Sequence, residues 1–227
     1  MKKVIISLMC AITVLSGCGN MSNLSKGSLI GGGAGAAVGA GIGALIGDGK
    51  GAAIGAAIGS AVGAGAGAII GNQMDKKAEE LAAIEGASVD TLTDANNLKS
   101  IKVTFDSGIL FPHNGTALSK ASKDALEKFA NTMADMPETD LTIQGHTDNT
   151  GTREVNDRIS LKRAQSVSDF LKKCGMKDDR FTVEGLAYDV PVASNETAEG
   201  RAQNRRVEIY ITANEDMIKA AQDGTLN

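Results

Sequence analysis

The 227-residue chain is poor in positive charge, cysteine and histidine, and each shortage excludes a class of function. Its 23 Lys and Arg residues are outnumbered by 27 Asp and Glu residues, which gives a formal net charge of -4. Nucleic-acid binding by general electrostatics needs clustered Lys and Arg that neutralise phosphates, so we expect no nucleic-acid partner. The two histidines, His113 and His146, have no cysteine partner at zinc-ligand spacing. We therefore expect no metal site and no cofactor.

The sequence also lacks the motifs of an enzyme. Gly49-Lys50 has neither the leading glycine nor the following Ser or Thr of a phosphate-binding loop. No predicted strand precedes the glycine-rich stretch at residues 39–41, as a dinucleotide site would require. No motif supplies paired acids, or a Ser or Cys nucleophile with its base. We expect a protein that is not an enzyme and has no catalytic residues.

The N-terminus has the layout of a bacterial export signal. A positively charged start precedes a mostly apolar run at residues 4–15, which is too short to span a bilayer and is expected to be cleaved. Leu15-Ser16-Gly17-Cys18 resembles the lipobox of bacterial lipoproteins. The resemblance implies cleavage after Gly17 and acylation of Cys18. The alternative is an unlipidated signal that ends in cysteine by chance.

The lipobox resemblance also implies a location in the cell envelope. Gly19 stands where the enterobacterial signal for inner-membrane retention has Asp, so we expect an outer-membrane lipid anchor, with the C-terminal part of the chain in the periplasm. Several acyl chains on one residue hold stably, whereas a single chain binds marginally. Cleavage removes Cys10 and lipidation blocks Cys18, which leaves Cys174 as the only free thiol. No intramolecular disulfide is then expected.

A glycine occurs at every fourth position from Gly27 to Gly71. The period is close to the 3.6 residues of a helical turn, so the glycines form a slowly drifting stripe along a helix. Such a stripe makes a poor isolated helix in water but allows close helix packing in membranes. The only charges within the run, Asp48 and Lys50, indicate a turn between two halves of about twenty residues, each long enough to span a bilayer.

This repeat therefore predicts a Gly-rich helical hairpin, which would also suit a homo-oligomer. It resembles the glycine-zipper segments of a subset of outer-membrane lipoproteins. A flexible Gly/Ala linker is the alternative, although linkers usually contain Ser and polar residues, whereas Ile, Leu and Val recur here.

The C-terminal half has ordinary globular composition, and its hydrophobic patterns predict an order of elements. Strands are predicted at residues 101–105, 141–144, 180–183 and 207–211. Helices are predicted at residues 119–133 and 155–171, the second ended by Gly175. This strand-helix-strand-helix-strand-strand order predicts an α+β fold, with helices packed on a single sheet.

Three separated motifs in this region resemble the OmpA-like peptidoglycan-binding domain. They are GHTDNTG at residues 145–151, ISLKRA at 159–164, and NETAEGR at 195–201 followed by NRRVEI at 204–209. The resemblance implies a βαβαββ domain. One departure is the loop at residues 108–115, which is longer and more apolar than in many members.

Family members bind the meso-diaminopimelate of the peptidoglycan stem peptide, whose side chain ends in an ammonium beside a carboxylate. The resemblance implies that Asp148 provides the acid and Arg163 the cation, whose planar guanidinium suits a carboxylate. Further ligand contacts implied by the resemblance are Asp106, Thr150, Arg205 and the apolar Ile159. From the residues alone, the alternative is that Asp148 caps a helix or turn and that Arg163 is its structural ion-pair partner. Arg201 is expected only to cover the surface.

Together these features predict a non-enzymatic envelope lipoprotein that tethers the outer membrane to peptidoglycan. The alternative is a glycine-zipper oligomer or assembly factor that the wall-binding domain only localises. The expected segments are a signal peptide (1–17), a lipidated tether (18–26), the glycine zipper (27–74), a linker or helix (75–97), the OmpA-like domain (98–212) and a tail (213–227).

Overall fold

The computed structural model of the chain describes residues 64–94, 96–112 and 115–226. One five-stranded sheet has the strand order β1-β2-β5-β3-β4. The strands are β1 (Ala87–Thr93), β2 (Lys99–Asp106), β3 (Thr139–Gly145), β4 (Phe181–Gly185) and β5 (Arg206–Ala213). The helices are α1 (Ala64–Ala82), α2 (Ser107–Leu110), α3 (Lys120–Thr132), α4 (Arg153–Lys173), α5 (Ala198–Asn204) and α6 (Glu215–Gln222). A 3₁₀ turn, Asp178–Arg180, precedes β4.

The sheet is antiparallel except where β3 lies beside β4. That parallel pair is connected through α4, because parallel neighbours need a crossover connection. Alternate side chains of β2 and β5, such as Phe105 and Ile209, belong to the single hydrophobic core. Leu126 and Phe129 of α3 are fully buried in the same core. The predicted α+β fold, one sheet with packed helices, is confirmed.

Helices α3 and α4 begin at residues suited to capping, and α4 also ends at a residue suited to that position. Ser119 caps α3 by accepting a hydrogen bond from Ser122 N, and Thr152 caps α4 in the same way from Val155 N. The end of α4 is followed by Gly175 at φ +98°, a left-handed conformation that glycine adopts without strain. The helix end predicted at Gly175 is therefore observed.

Two glycines allow α4 to lie unusually close to the sheet. A Cβ built on Gly145 of β3 would lie 2.0 Å from the carbonyl oxygen of Ser160. A Cβ on Gly185 of β4 would lie 2.5 Å from the backbone nitrogen of Leu161. Only glycine fits at such distances, so these two positions set the height of α4 above the strands.

The fold begins earlier than the expected domain boundary at residue 98. Residues 75–97, expected as a linker or helix, contribute the second half of α1 and the whole of β1. β1 is an edge strand with mostly exposed or half-buried side chains, so it lacks a strong apolar alternation. Residues 213–227, expected as a tail, include α6, whose Met217 and Ile218 are buried in the core.

The glycine-zipper hairpin predicted for residues 27–71 lies outside the described residues, except for its last eight. Those eight residues form the first turns of α1. Within them, Ile70 packs into the domain core and has no exposed surface. Met74 continues the same buried face, and Lys77 forms ion pairs with Glu80 and Asp135 at 2.6 and 2.8 Å. Across the described part of the chain, no helix has the length and apolar character needed to cross a membrane.

Candidate functional site

A groove of about 830 Å³ opens where the C-terminal end of β3 meets the first half of α4. Its walls combine charged, polar and apolar side chains. Five of the six residues expected to contact ligand line it, namely Asp148, Thr150, Ile159, Arg163 and Arg205. These residues come from the loop after β3, from α4 and from the residue between α5 and β5, so the fold gathers positions that are far apart in sequence.

Asp148 is the one acid among the described residues that line the groove, and it is 5% exposed. Its Oδ1 accepts hydrogen bonds from Thr150, from the backbone N at 2.9 Å and also from the hydroxyl. Its Oδ2 accepts from Arg205 Nη1 at 2.6 Å. Burial raises the pKa of Asp148, but these hydrogen bonds outweigh burial and hold the pKa below its ordinary value. Asp148 is therefore an ionised carboxylate at neutral pH.

Arg163 projects from α4 and is 6% exposed. Its Nε donates to the carbonyl oxygen of Gly115 at 3.1 Å, and its guanidinium lies over the Phe111 ring, 5.3 Å from the ring centroid. Burial, followed by the charge of Arg205, lowers the pKa of Arg163, while Asp148 opposes that shift. The group remains a cation, since arginine stays protonated in proteins.

The ion pair that forms in the groove joins Asp148 to Arg205, not to Arg163. The interpretation from residue types alone, with Arg163 as the structural partner of Asp148, is therefore wrong. Among the described residues, Arg163 forms no ion pair with a carboxylate. Its guanidinium is instead held by a backbone carbonyl and an aromatic ring, so it is a fixed cation available to an incoming anion.

One face of α4 forms the apolar and polar floor of the groove. Val155, Ile159 and Arg163 follow each other at intervals of four residues, which places them along the same side of the helix. Asn156 lies beside them and donates from Nδ2 to the carbonyl oxygen of Thr150 at 2.9 Å. That bond connects the helix to the loop that carries Asp148.

Asp106 is the predicted contact residue that does not line the groove. It is the exposed last residue of β2 and precedes α2 without capping it through its side chain. The next two residues, Ser107 and Gly108, do line the groove. Ser107 N donates to the carbonyl oxygen of Arg205 at 2.9 Å, so the end of β2 supports the rim of the groove.

A buried polar cluster lies behind the groove, on β5 and the end of β3. Glu208 accepts hydrogen bonds from Arg206 Nε at 2.7 Å and from the Tyr210 hydroxyl at 2.6 Å. His146 Nε2 lies 3.5 Å from Glu208 Oε2. Burial lowers the pKa of His146 and keeps it neutral. In residues 64–94, 96–112 and 115–226, no cluster of three or more His, Cys, Asp or Glu is placed to hold a metal ion.

The groove is also lined by residues that were not among the predicted ligand contacts, among them Phe111, Pro112 and Arg201. Phe111 and Pro112 come from the loop whose apolar character is visible in the sequence, and they form an apolar wall. Arg201 lines the groove as well and is only half exposed. The sequence predicts only a surface role for Arg201. No local pattern indicates that it lines a groove, because only the fold brings α5 to this position.

The fold and the groove define a class of small α+β binding domain, whose site presents one carboxylate and several fixed guanidinium groups. Comparison with known proteins places the chain within that class. Residues 110–205 match the OmpA family, and residues 1–75 match the YMGG-like Gly-zipper family. The C-terminal domain is therefore OmpA-like, and the segment before it is similar to a glycine zipper.

Several curated proteins are similar to the C-terminal part. Outer membrane protein Omp38 of Acinetobacter baumannii is 38% identical over 111 residues, which cover 48% of this chain and 31% of Omp38. Peptidoglycan-binding protein ArfA of Mycobacterium bovis is 41% identical over 103 residues, 45% of this chain and 32% of ArfA. The probable lipoprotein YiaD of Escherichia coli is 35% identical over 129 residues, 57% of this chain and 58% of YiaD. The chain thus spans about a third of the first two relatives and just over half of the third.

Among solved structures, the cell wall anchor of the T6SS from Pseudomonas aeruginosa is similar in fold. It is 28% identical, with a TM-score of 0.53, and the match covers 62% of this chain and 96% of that chain. The relationship supports the family assignment at the level of the C-terminal domain.

Proposed function

We propose that the groove binds the meso-diaminopimelate residue of peptidoglycan stem peptides without covalent attachment, and that the protein thereby tethers the outer membrane to the cell wall. The observation that carries this proposal is the presence of a buried ionised acid, Asp148, and a buried cation, Arg163, which has no carboxylate partner among the described residues, in one groove. A zwitterion with an ammonium beside a carboxylate complements that pair. The names of ArfA, a peptidoglycan-binding protein, and of the T6SS cell wall anchor support the same ligand class.

In this proposal the ligand ammonium binds Asp148. A carboxylate accepts about four hydrogen bonds, and Thr150 and Arg205 supply three of those that Asp148 accepts. About one acceptor position on Oδ2 is therefore left for a ligand N-H. The existing three bonds orient the carboxylate before the ligand arrives, which reduces the entropy lost on binding.

The ligand carboxylate binds Arg163. The hydrogen bond to Gly115 uses only Nε, so the two terminal nitrogens of the guanidinium are the groups that receive the carboxylate. The methylenes of the ligand lie against Ile159 and Phe111. A lysine-type stem peptide lacks the carboxylate beside the ammonium, so it should bind more weakly by about 2 kcal/mol or more.

The N-terminal segments supply the membrane side of the tether. We propose cleavage of residues 1–17, acylation of Cys18, and a short tether at 18–26 that leads into the zipper, with outer-membrane lipid as the partner. The name of YiaD, a probable lipoprotein, supports the lipid anchor, and the name of Omp38, an outer membrane protein, supports an outer-membrane location. The groove then faces the periplasm, and the protein acts as a binding protein with no turnover of its ligand.

The experiment is co-sedimentation of the purified full chain with sacculi that contain meso-diaminopimelate. We expect Asp148→Ala and Arg163→Ala to stay in the supernatant, whereas wild type and Arg158→Ala sediment. Arg158 is a matched control because it is an exposed arginine on α4 outside the groove lining. Arg163→Lys should bind weakly, since it keeps the charge but loses the planar fork. Retention of both alanine variants on sacculi would refute the proposed site.

A second candidate function is that of a glycine-zipper oligomer, which the wall-binding domain only localises. The match of residues 1–75 to a Gly-zipper family favours it. Cross-linking of the mature chain with and without residues 27–63 separates the two functions, because a deletion that stops there leaves α1 intact. Oligomers lost with the deletion while sacculus binding persists would support this function, and equal cross-linking would oppose it.

A further inference from the structure

The groove is lined by more cationic side chains than a single zwitterion can pair with. Three arginines, Arg163, Arg201 and Arg205, line it together with one acid, Asp148. Within the described ranges, Arg205 is the one arginine of the three that forms an ion pair with a carboxylate. Arg163 and Arg201 are left as two cations without a carboxylate partner in the described part of the chain. This excess of positive charge occurs in a protein whose formal net charge is -4.

Arg201 is held in a defined position instead of moving freely in solvent. Its Nη1 donates to the carbonyl oxygens of Asn195 and Glu196 at 2.8 and 3.1 Å. The helix that carries it, α5, is capped by Thr197, which accepts from Gly200 N at 3.0 Å. A guanidinium that is fixed by backbone carbonyls at one nitrogen presents its remaining N-H groups in a set direction.

We propose that Arg201 is a specificity-determining residue that binds a second carboxylate of the same stem peptide. This inference rests on the proposed function: when the diaminopimelate zwitterion occupies Asp148 and Arg163, the Arg201 guanidinium, which has no carboxylate partner in the described part of the chain, is the group left in the groove to receive another anion. A stem peptide carries two further carboxylates, one on its glutamate and one at its C-terminus. The groove therefore distinguishes peptides by how many carboxylates they keep free.

The test measures the affinity of the full chain for soluble stem peptides by isothermal titration calorimetry. Four peptides are compared: one with all carboxylates free, one amidated at the glutamate, one amidated at the C-terminus, and one amidated at both. Wild type should bind the doubly amidated peptide about tenfold more weakly than the free one. The singly amidated peptide that shows the loss identifies which carboxylate reaches Arg201.

Variants assign that loss to Arg201. Arg201→Gln should weaken binding of the free peptide about tenfold, and should leave binding of the doubly amidated peptide unchanged. Arg201→Lys should keep most of the preference for the free peptide, because it retains the charge. Arg158→Gln, on the exposed face of α4, should behave as wild type with every peptide.

The outcomes separate this inference from the proposed function. If wild type binds no peptide, both are overturned. If wild type binds the free and doubly amidated peptides equally, the diaminopimelate site stands and the role of Arg201 is overturned. If Arg201→Gln weakens all four peptides by the same factor, its role is to support the loop at Asn195 and Glu196, and the inference is again overturned. The peptide series on wild type gives a result even if a variant fails to fold.

Discussion

Replacement of Gly145 by alanine should impair stability and ligand binding together, because this glycine determines how closely α4 approaches the sheet. The added Cβ would lie 2.0 Å from the Ser160 carbonyl oxygen and 2.8 Å from its carbonyl carbon. A normal carbon-oxygen contact is longer by about 1 Å, so α4 must move by roughly that distance or β3 must distort.

Overpacking of this kind destabilises a domain by about 1–3 kcal/mol, which lowers the melting temperature by about 2–12 °C for a domain of this size. The same displacement moves Ile159 and Arg163 relative to Asp148, because Ser160 is the neighbour of Ile159 on α4. We therefore expect affinity for meso-diaminopimelate peptides to fall by at least tenfold at a temperature where the variant is fully folded.

The measurement is thermal unfolding by circular dichroism, paired with calorimetric titration of the peptide. Gly71→Ala is the matched control, because apart from the helix's own neighbouring backbone no described heavy atom lies within 4 Å of its added Cβ, and alanine favours the interior of α1. That variant should be stabilised by about 0.5–1 kcal/mol and bind normally. A Gly145→Ala protein that melts and binds as wild type does would show that the close approach of α4 is not required.

Three further perturbations test other parts of the structure. Thr150→Val removes the hydroxyl bond to Asp148, so the pKa of Asp148 should rise and the acid limb of the binding pH profile, followed by calorimetry, should move to higher pH. Burial raises the pKa of Glu208, but His146, Arg206 and the Tyr210 hydroxyl outweigh burial and hold it well below its usual range. The ionised Glu208 carboxylate therefore contributes its full stabilisation above the pKa that it has in the unfolded chain, about 4, and this stabilisation is lost as the pH falls below that value. Denaturant titration from pH 7 to 3 should show a smaller loss of unfolding free energy in Glu208→Gln than in wild type. Lys77→Ala breaks the ion pairs to Glu80 and Asp135 and should destabilise by about 1–2 kcal/mol, with earlier proteolytic cleavage in α1 at unchanged peptide affinity.

The elements that the sequence predicts are those with strong hydrophobic periodicity. The strand around Val103 and the helix around Phe129 are fully buried on one face, so apolar spacing reveals them. β1 carries Asp90 and polar neighbours at the sheet edge, where pairing with β2 supplies the order and the side chains give little signal. α5 is only seven residues long, too short for a helical period to be visible.

The site was predictable in part, for a similar reason. Asp148 and Arg163 lie in motifs that resemble a known family, and the structure brings them into one groove. Which arginine pairs with Asp148 depends on side chains that approach across 57 positions of sequence, and no local pattern encodes that distance. The position of Arg201 likewise depends on how α5 is placed by the sheet.

The docking of α1 has a mechanical consequence. Any load between a ligand in the groove and residues before position 64 must pass through α1, because this helix is the covalent entry into the described fold. Tension applied at Ala64 would peel the helix from its N-terminal end, with Ile70 and then Met74 leaving the core in turn. The 19 residues of α1 measure about 28 Å as a helix and about 63 Å when extended. Peeling α1 would therefore lengthen the connection by about 35 Å while the five-stranded sheet and the groove keep their shape. Under such a load α1 would extend and the binding domain would stay folded.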